Sequence, residues 1–292
     1  MKLAYYPGCS VHGSSREYEM SARKVLSRFG MELEEIEDWN CCGAVEAAGV
    51  DHELSVALPA RNLTLPKVTE AGRIIMLCSA CQAVHNKARS EMLADPSLKG
   101  RMDGLIGRKV NTDVEIRHLI HYLASDMDRN EIRKQVKKPL THVKVVPYYG
   151  CVVNRPSRFI NGDDPDNPTS LENILSDIGA QVLSFSHRNR CCGGTAMLTE
   201  EDVAITLGGK ILAEAREAGA HCIATVCPLC QVALENASLK ARDASGSSYD
   251  LPIVYFTQLM GLAFGFGPGE LGLGRNVVST RVLVEKVAGV PA

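Results

Sequence analysis

Five cysteines in the first half of the chain recur in the second half, in the same order and with nearly the same spacing. The first set is Cys9, Cys41, Cys42, Cys78 and Cys81, with intervening gaps of 31, 35 and 2 residues around the Cys-Cys pair. The second is Cys151, Cys191, Cys192, Cys227 and Cys230, with gaps of 39, 34 and 2. The flanks repeat too. Tyr-Tyr-Pro-Gly-Cys at 5–9 answers Pro-Tyr-Tyr-Gly-Cys at 147–151, Asn-Cys-Cys-Gly at 40–43 answers Arg-Cys-Cys-Gly at 190–193, and Cys-Ser-Ala-Cys-Gln at 78–82 answers Cys-Pro-Leu-Cys-Gln at 227–231. The offset between halves grows from 142 to 150, a difference that fits the polar, turn-rich insertion at 161–168, found only in the second half. The chain is therefore expected to be two copies of one domain, residues 1–138 with a linker and 139–265, followed by a tail at 266–292.

Composition narrows what such a chain does. With 32 basic and 34 acidic residues among 292, no global field draws it to nucleic acid or to an anionic membrane. No apolar run approaches the ~20 residues of a bilayer span. The start runs quickly into Pro7-Gly8-Cys9, too soon for the apolar core of a secretory signal, so a reducing, cytoplasmic setting is expected. In that setting eleven thiols read as metal ligands or redox groups before they read as disulfides.

Each copy alternates apolar strand-like and amphipathic helix-like stretches, which predicts an α/β domain with a small, mostly parallel sheet flanked by helices. Strands are expected at Leu3–Tyr6, Met31–Ile36 and Arg73–Leu77, and again at Val143–Tyr148, Gln181–Phe185 and Ile223–Val226. Helices are expected at Glu17–Phe29, His52–Ala71, Gln82–Leu93, Ser170–Ile178, Glu201–Ala218 and Leu229–Lys240. Pro59 and Pro66 predict a break or kink in the second of these. The charged stretch 126–138 reads as the linker, with a surface helix in it.

Cys9, Cys78, Cys151 and Cys227 each follow a predicted strand. The C-terminal edge of a parallel sheet gathers helix N-termini, whose free N-H groups and dipoles stabilise thiolates. Gly43, Gly193 and Gly194 beside the Cys-Cys pairs let backbone N-H groups approach a bulky cofactor. Zinc and a cubane iron–sulfur cluster each take four ligands, and each copy offers five. Neighbours in extended chain project oppositely, so Cys41 and Cys42 are poorly placed to chelate one ion. They suit different irons of a larger cluster, with a fifth thiolate free to bridge two irons. Structural zinc and a disulfide framework remain open alternatives, and ligand count favours iron and sulfur.

The double pattern, with Cys-Cys-Gly in both copies, resembles the tandem CCG domains of the heterodisulfide reductase B subunit, over Leu3 to about Gly265. The resemblance implies two such domains related by a pseudo-two-fold axis. It also implies two noncubane [4Fe-4S] clusters of five cysteines each, one on Cys9, Cys41, Cys42, Cys78 and Cys81, the other on Cys151, Cys191, Cys192, Cys227 and Cys230. The activity implied is cleavage, or formation, of a disulfide between two thiols held between the clusters, one electron from each. Cys9, Cys42, Cys151 and Cys192 are then the catalytic candidates. No GxGxxG after a strand, Walker pattern or ferredoxin-type run is present, so electrons are expected from a partner; the resemblance implies C-like subunits with cubane clusters and A-like subunits with flavin. The substrate is expected to be a small or protein-bound thiol or disulfide. The alternative is an electron-transfer subunit of a flavin dehydrogenase or quinone-linked complex.

Other residues have plainer readings. His12 and His187, three and four residues from cluster cysteines, are candidates to protonate a released thiolate or simply to hydrogen-bond near the site. Cys222 begins a predicted buried strand and reads as an inert core thiol. His85, His118 and His121 read as partly buried helix residues. The glycine-rich stretch after Gly265 reads as an appended tail.

Overall fold

The computed structural model describes residues 1–44, 46–243 and 245–289; the last three residues of the expected tail lie outside them. The first copy runs β1 (Lys2–Tyr6), α1 (Gly8–His12), α2 (Arg16–Ser27), β2 (Glu32–Glu35), α3 (Glu46–Val50), α4 (His52–Asn62), α5 (Pro66–Ala71), β3 (Arg73–Met76), α6 (Ser79–Ala94), α7 (Pro96–Ile106) and β4 (Glu115–His118). A short helical turn, α8 (Leu119–His121), continues into a π-turn over Tyr122–Asp126, and α9 (Arg129–Gln135) lies in the linker. The second copy runs β5 (Lys144–Tyr148), α10 (Ser170–Asp177), β6 (Gln181–Val182), α11 (Glu201–Glu217), β7 (Cys222–Thr225), α12 (Pro228–Lys240), β8 (Ile253–Tyr255) and α13 (Phe256–Ala263). A last helix, α14 (Arg281–Val287), follows.

Each copy forms a four-stranded sheet, in orders β2-β1-β3-β4 and β6-β5-β7-β8, and every pairing is parallel. Alternate residues of β1 feed different cores: Leu3 and Tyr5 enter one apolar cluster, Ala4 and Tyr6 the other. Both faces of the sheet are thus covered, as parallel sheets require. The doubled α/β architecture agrees with the expectation. Two strands, β4 and β8, lie outside the expected set, because Glu115-Ile-Arg-His alternates charge with apolar residues and Ile253–Tyr255 is only three residues long.

The proline break falls in one place of the two predicted. Leu65, which precedes Pro66, is extended at φ −70°, ψ 137°, and Pro66 opens α5 at its first turn. Pro59 instead sits inside α4. The Asp51 side chain caps that helix by accepting the Leu54 N–H at 2.7 Å. The expected strand at Gln181–Phe185 pairs only over its first two residues, then turns into a 3₁₀ segment leading to the second Cys-Cys pair.

The copies pack reciprocally: α2 of the first against α13 of the second, and α10 of the second against α8 of the first. Tyr18 on α2 stacks on Tyr255 at 4.0 Å between ring centroids and donates its hydroxyl to the Val226 carbonyl at 3.1 Å. Ser21 and Thr257 share a buried hydroxyl hydrogen bond of 2.7 Å. Burial of this interface, worth roughly 25 cal/mol per Å² of apolar surface, makes the two domains one body. The tail is not merely appended. Leu271 and Leu273 are buried, and the Glu270 carboxylate meets Lys24 of α2 at 2.7 Å, so the segment straps the second copy to the first. His118 closes β4 as its last residue, and His85, His118 and His121 are all fully buried.

Candidate metal centre

All ten patterned cysteines lie at the C-terminal edges of the two sheets. Cys9 sits in α1 after β1, and Cys151 follows β5. Cys78 and Cys227 are the N-cap residues of α6 and α12, both in extended conformation, with Pro228 opening the second helix. Cys81 and Cys230 lie one turn further along those helices. Each helix therefore brings its positive end and two thiols to the same edge.

Within the first set, Cys9 and Cys41 sulfurs are 3.8 Å apart and Cys42 and Cys81 sulfurs 3.4 Å apart. In the second, Cys192 and Cys230 are 3.5 Å apart, and Cys151 faces Cys191. Cys78 faces Cys227 across the domain boundary, so the two sets meet. Cys9, Cys41 and Cys191 are exposed and Cys151 is half-buried, whereas Cys42, Cys78, Cys81, Cys192, Cys227 and Cys230 are buried. The inner thiols thus share one core, and the outer ones open to solvent.

The electrostatics pair thiols as unequal partners. Hydrogen bonding from Cys41 and then Cys81 holds Cys42 far below the ordinary thiol range, while Cys81 is pushed up chiefly by Cys42. Cys227 is lowered by Cys230 and Cys78, and Cys230 is raised by Cys192. Burial lifts Cys151 to about 12. Five thiolates at this density repel one another, so full ionisation needs a positively charged group among them. Among the described residues no three His, Cys, Asp or Glu side chains converge as ligands of one metal ion. The donor set, dispersed pairs of thiols around a common edge, fits a multi-iron cluster better than a lone zinc.

Backbone supports the same sites. The Ala44 N–H donates to the Cys42 sulfur and the Gly193 N–H to the Cys191 sulfur, each at 3.4 Å. Gly193 has φ +77°, and a Cβ there would lie 2.6 Å from the Ala204 Cα, so packing also demands glycine. Gly43 and Gly194 are likewise crowded, by Leu58 and Leu229. Two further glycines, outside the expected set, serve the site. At Gly8 and Gly150 a Cβ would lie 3.0 Å from the Cys81 sulfur and 2.7 Å from the Cys230 sulfur, and their repeated place before Cys9 and Cys151 is the signal that marks them.

A cavity of about 120 Å³ lies at the boundary, walled by Cys151, Cys191, Cys192, Cys227 and Cys230 on one side and by Ser79, Ala80, Ala83 and Val84 of α6 on the other. Ala44, Tyr149, Val152 and Leu229 add to a largely apolar lining, with Glu46 and Thr195 among its polar members. Neither candidate histidine lines it. His12 lines an open cleft with Arg16, Glu19, Arg23 and Arg275, its ring against Trp39. His187, half-buried, hydrogen-bonds through Nδ1 to Glu214, which also accepts the Ser186 and His187 N–H groups. Beside that loop Arg155, Arg188 and Arg190 line a second cleft, of about 440 Å³. Cys222 begins β7 fully buried, its thiol lifted to about 12 by burial, as its reading anticipates.

Comparison with known proteins agrees with this geometry. The model of the CCG "Cysteine-rich domain" family matches twice, at residues 3–84 and 145–235. The chain is 33% identical over 285 residues, 97% of itself and 99% of the relative, to the 8-methylmenaquinol:fumarate reductase membrane anchor subunit of Wolinella succinogenes. It is 26% identical to the B subunit of a ferredoxin/F(420)H(2)-dependent CoB-CoM heterodisulfide reductase of Methanosarcina acetivorans, covering 100% of this chain and 98% of that one. A protein of Archaeoglobus profundus, named as like the heterodisulfide reductase B subunit, is 25% identical, covering 98% and 99%. A crystal structure of a hypothetical protein from Helicobacter pylori shares the fold at TM-score 0.73 and 14% identity, covering 95% of this chain and 52% of that one. Although one relative is named a membrane anchor, no described helix here is long and apolar enough to cross a membrane. Two family matches superimposed on two repeated five-cysteine sets leave one conclusion: the chain belongs to the CCG cysteine-rich domain family.

Proposed function

We propose that the chain is a heterodisulfide reductase B-like catalytic subunit of a multisubunit oxidoreductase, with Cys9, Cys41, Cys42, Cys78 and Cys81 holding one noncubane [4Fe-4S] cluster and Cys151, Cys191, Cys192, Cys227 and Cys230 the other. The observation that carries this reading is the meeting of the two sets at Cys78 and Cys227, beside a cavity walled by the second set. When bound, each cluster supplies one electron and an iron to which a released sulfur can bind. The chain's own residues do the rest. The largely apolar cavity walls exclude water from the scissile S–S bond, and in the cleft beside the second Cys-Cys pair, where Arg155 and Arg188 are paired with Asp166 and Glu172, Arg190 offers charge to an anionic tail of a thiol substrate. Cleavage consumes two electrons and two protons and yields two thiols. The electrons come from partner subunits that carry cubane clusters and flavin, in the cytoplasm.

A second reading has its own support. The cavity lining is apolar enough for a quinone ring, and the 33% relative is named for a methylmenaquinol reaction. On that reading the chain passes electrons between a quinol and a flavin dehydrogenase. Anaerobically purified protein tests both. Iron with acid-labile sulfide is expected, and zinc without sulfide would end both readings. A paramagnetic signal that changes on adding thiol supports disulfide chemistry. A signal that responds to a quinone analogue and ignores thiols overturns it in favour of the second reading.

A further inference from the structure

Both reactions move protons together with electrons, and six of the ten patterned thiols are buried. A buried polar group under the C-terminal segment addresses this. Glu235, on α12 one turn beyond Gln231, is only 5% exposed. Its Oε1 accepts the N–H groups of Val277 and Val278 at 2.9 and 3.3 Å. Glu17, on α2 of the other copy and 4% exposed, bears on it with like charge. The backbone at Gly272 covers Glu17 so closely that a Cβ there would lie 2.7 Å from the Glu17 Cβ, and Arg275 of the same segment draws on the Glu17 charge.

Between these carboxyls and the second cysteine set lie polar groups without well-formed partners. Gln231, adjacent to Cys230, faces Glu235, but neither of its amide atoms is satisfied. Ser15 faces the Tyr255 hydroxyl, and both oxygens are likewise unsatisfied. Tyr255 stacks on Tyr18, and both rings lie near enough to Cys227 for its charge to oppose their ionisation. Orphaned polar atoms cost about 1–3 kcal/mol each when buried, and Gln231, Ser15 and Tyr255 carry that cost on both sides of the domain boundary. An amide at 235 would hold the two tail N–H groups equally well without the penalty of burying a titratable group, so tethering the tail does not account for a carboxyl there.

We propose that Glu235, buried on the helix that carries Cys230 and is capped by Cys227, takes up a proton as electrons reach the second cysteine set and gives it up again as the products form. In disulfide cleavage, electrons from the partner redox subunit and protons from solvent end on the two product sulfurs, and Glu235 holds one of those protons in transit. In quinol oxidation the direction reverses. Burial, reinforced by Glu17 and opposed by the two tail N–H bonds, lifts the Glu235 carboxyl to about 7, where it exchanges a proton near neutrality. The charged groups facing it are Glu17 and, behind that, Arg275.

The proposal rests on the reading that the second set holds a redox centre, and its test separates the two. In the intact protein, purified anaerobically, infrared titration is expected to show a protonated carboxyl band that disappears near pH 7 and is missing in Glu235→Gln. The midpoint potential of the second centre, followed by paramagnetic resonance, is expected to fall with pH through the same range in the native protein and to lose that dependence in Glu235→Gln. In Glu17→Gln, with a like charge removed, the inflection is expected at lower pH. A Glu235→Gln protein that keeps the pH dependence, or an inflection that ignores Glu17→Gln, would overturn the proposal. Protein devoid of iron and sulfide would overturn the site reading itself, by a different measurement, and this proposal with it.

Discussion

Cys78 and Cys227 face each other across the boundary between the two copies, each the N-cap of the helix that also carries the last cysteine of its set. That contact makes two domains with separate sheets share one reactive edge, and it sets up the first prediction.

Replacing Cys78 by Ser removes a ligand from the first set, and replacing Cys227 by Ser removes one from the second. If each set binds its own cluster, either variant should retain about half of the native iron and acid-labile sulfide, because cluster binding is a sum of two site energies. Native-like loading in either variant, measured by metal analysis, would mean that the replaced thiol is not a ligand.

Gly150 precedes Cys151 with φ +71°, and an added Cβ would lie 2.7 Å from the Cys230 sulfur. Gly150→Ala should therefore cost about 1–3 kcal/mol in denaturant unfolding, from backbone strain and steric displacement. It should also lower iron retention by the second set. Gly219→Ala is a fair control for backbone strain alone, since Gly219 has φ +74° with nothing within 4 Å of its Cβ position. It should lose stability while retaining iron.

Legibility in the sequence varies by residue. The repeat makes the two cysteine sets, the doubled α/β architecture and the strand-end placement of Cys9, Cys78, Cys151 and Cys227 readable, because parallel strands bury both faces and so leave near-continuous apolar runs. The fourth strand of each sheet is not readable, since β4 carries Glu115 and Arg117 and β8 is three residues long. The meeting of Cys78 and Cys227 depends on how the copies pack, which linear spacing does not encode. The same holds for Glu17 and Glu235, contributed by opposite copies and brought together only when the tail folds over them. Spacing places His12 and His187 near cluster cysteines, yet His12 turns to an open cleft and His187 to Glu214, directions set by local side-chain partners.

His121 gives a pH prediction. Burial lowers its pKa to about 4, the Asn154 hydrogen bond resists that shift and Arg117 adds to it. Its Nε2 pairs with the Asn154 Oδ1 at 2.8 Å, and its Nδ1 lies 3.4 Å from the Gln82 amide. The folded pKa lies below the unfolded value of about 6.5, so between the two the unfolded chain binds more protons. The stabilising contribution is complete above about pH 6.5 and is lost as the pH falls toward 4, at up to roughly 1.4 kcal/mol per unit. His121→Gln should flatten this part of the profile in denaturation experiments at pH 7 and pH 5, while an unchanged slope would assign the acid sensitivity elsewhere.

The odd thiol offers a control on all the others. Cys222 is fully buried in β7 and its ionisation is suppressed by burial, whereas Cys9, Cys41 and Cys191 are exposed. Thiolate, not thiol, reacts with alkylating agents. In cluster-free protein under native conditions, a thiol reagent should therefore label the exposed Cys9 and Cys191, react more slowly at Cys41, whose pairing with Cys42 holds its thiol up, and leave Cys222 untouched until the chain unfolds, as peptide mass mapping would show. Cys222→Ala removes one buried sulfur from a packed strand and should cost about 1 kcal/mol, with iron content equal to that of the native protein. Loss of iron in that variant would give the eleventh cysteine a place at a cluster and break the five-and-five division on which the site rests.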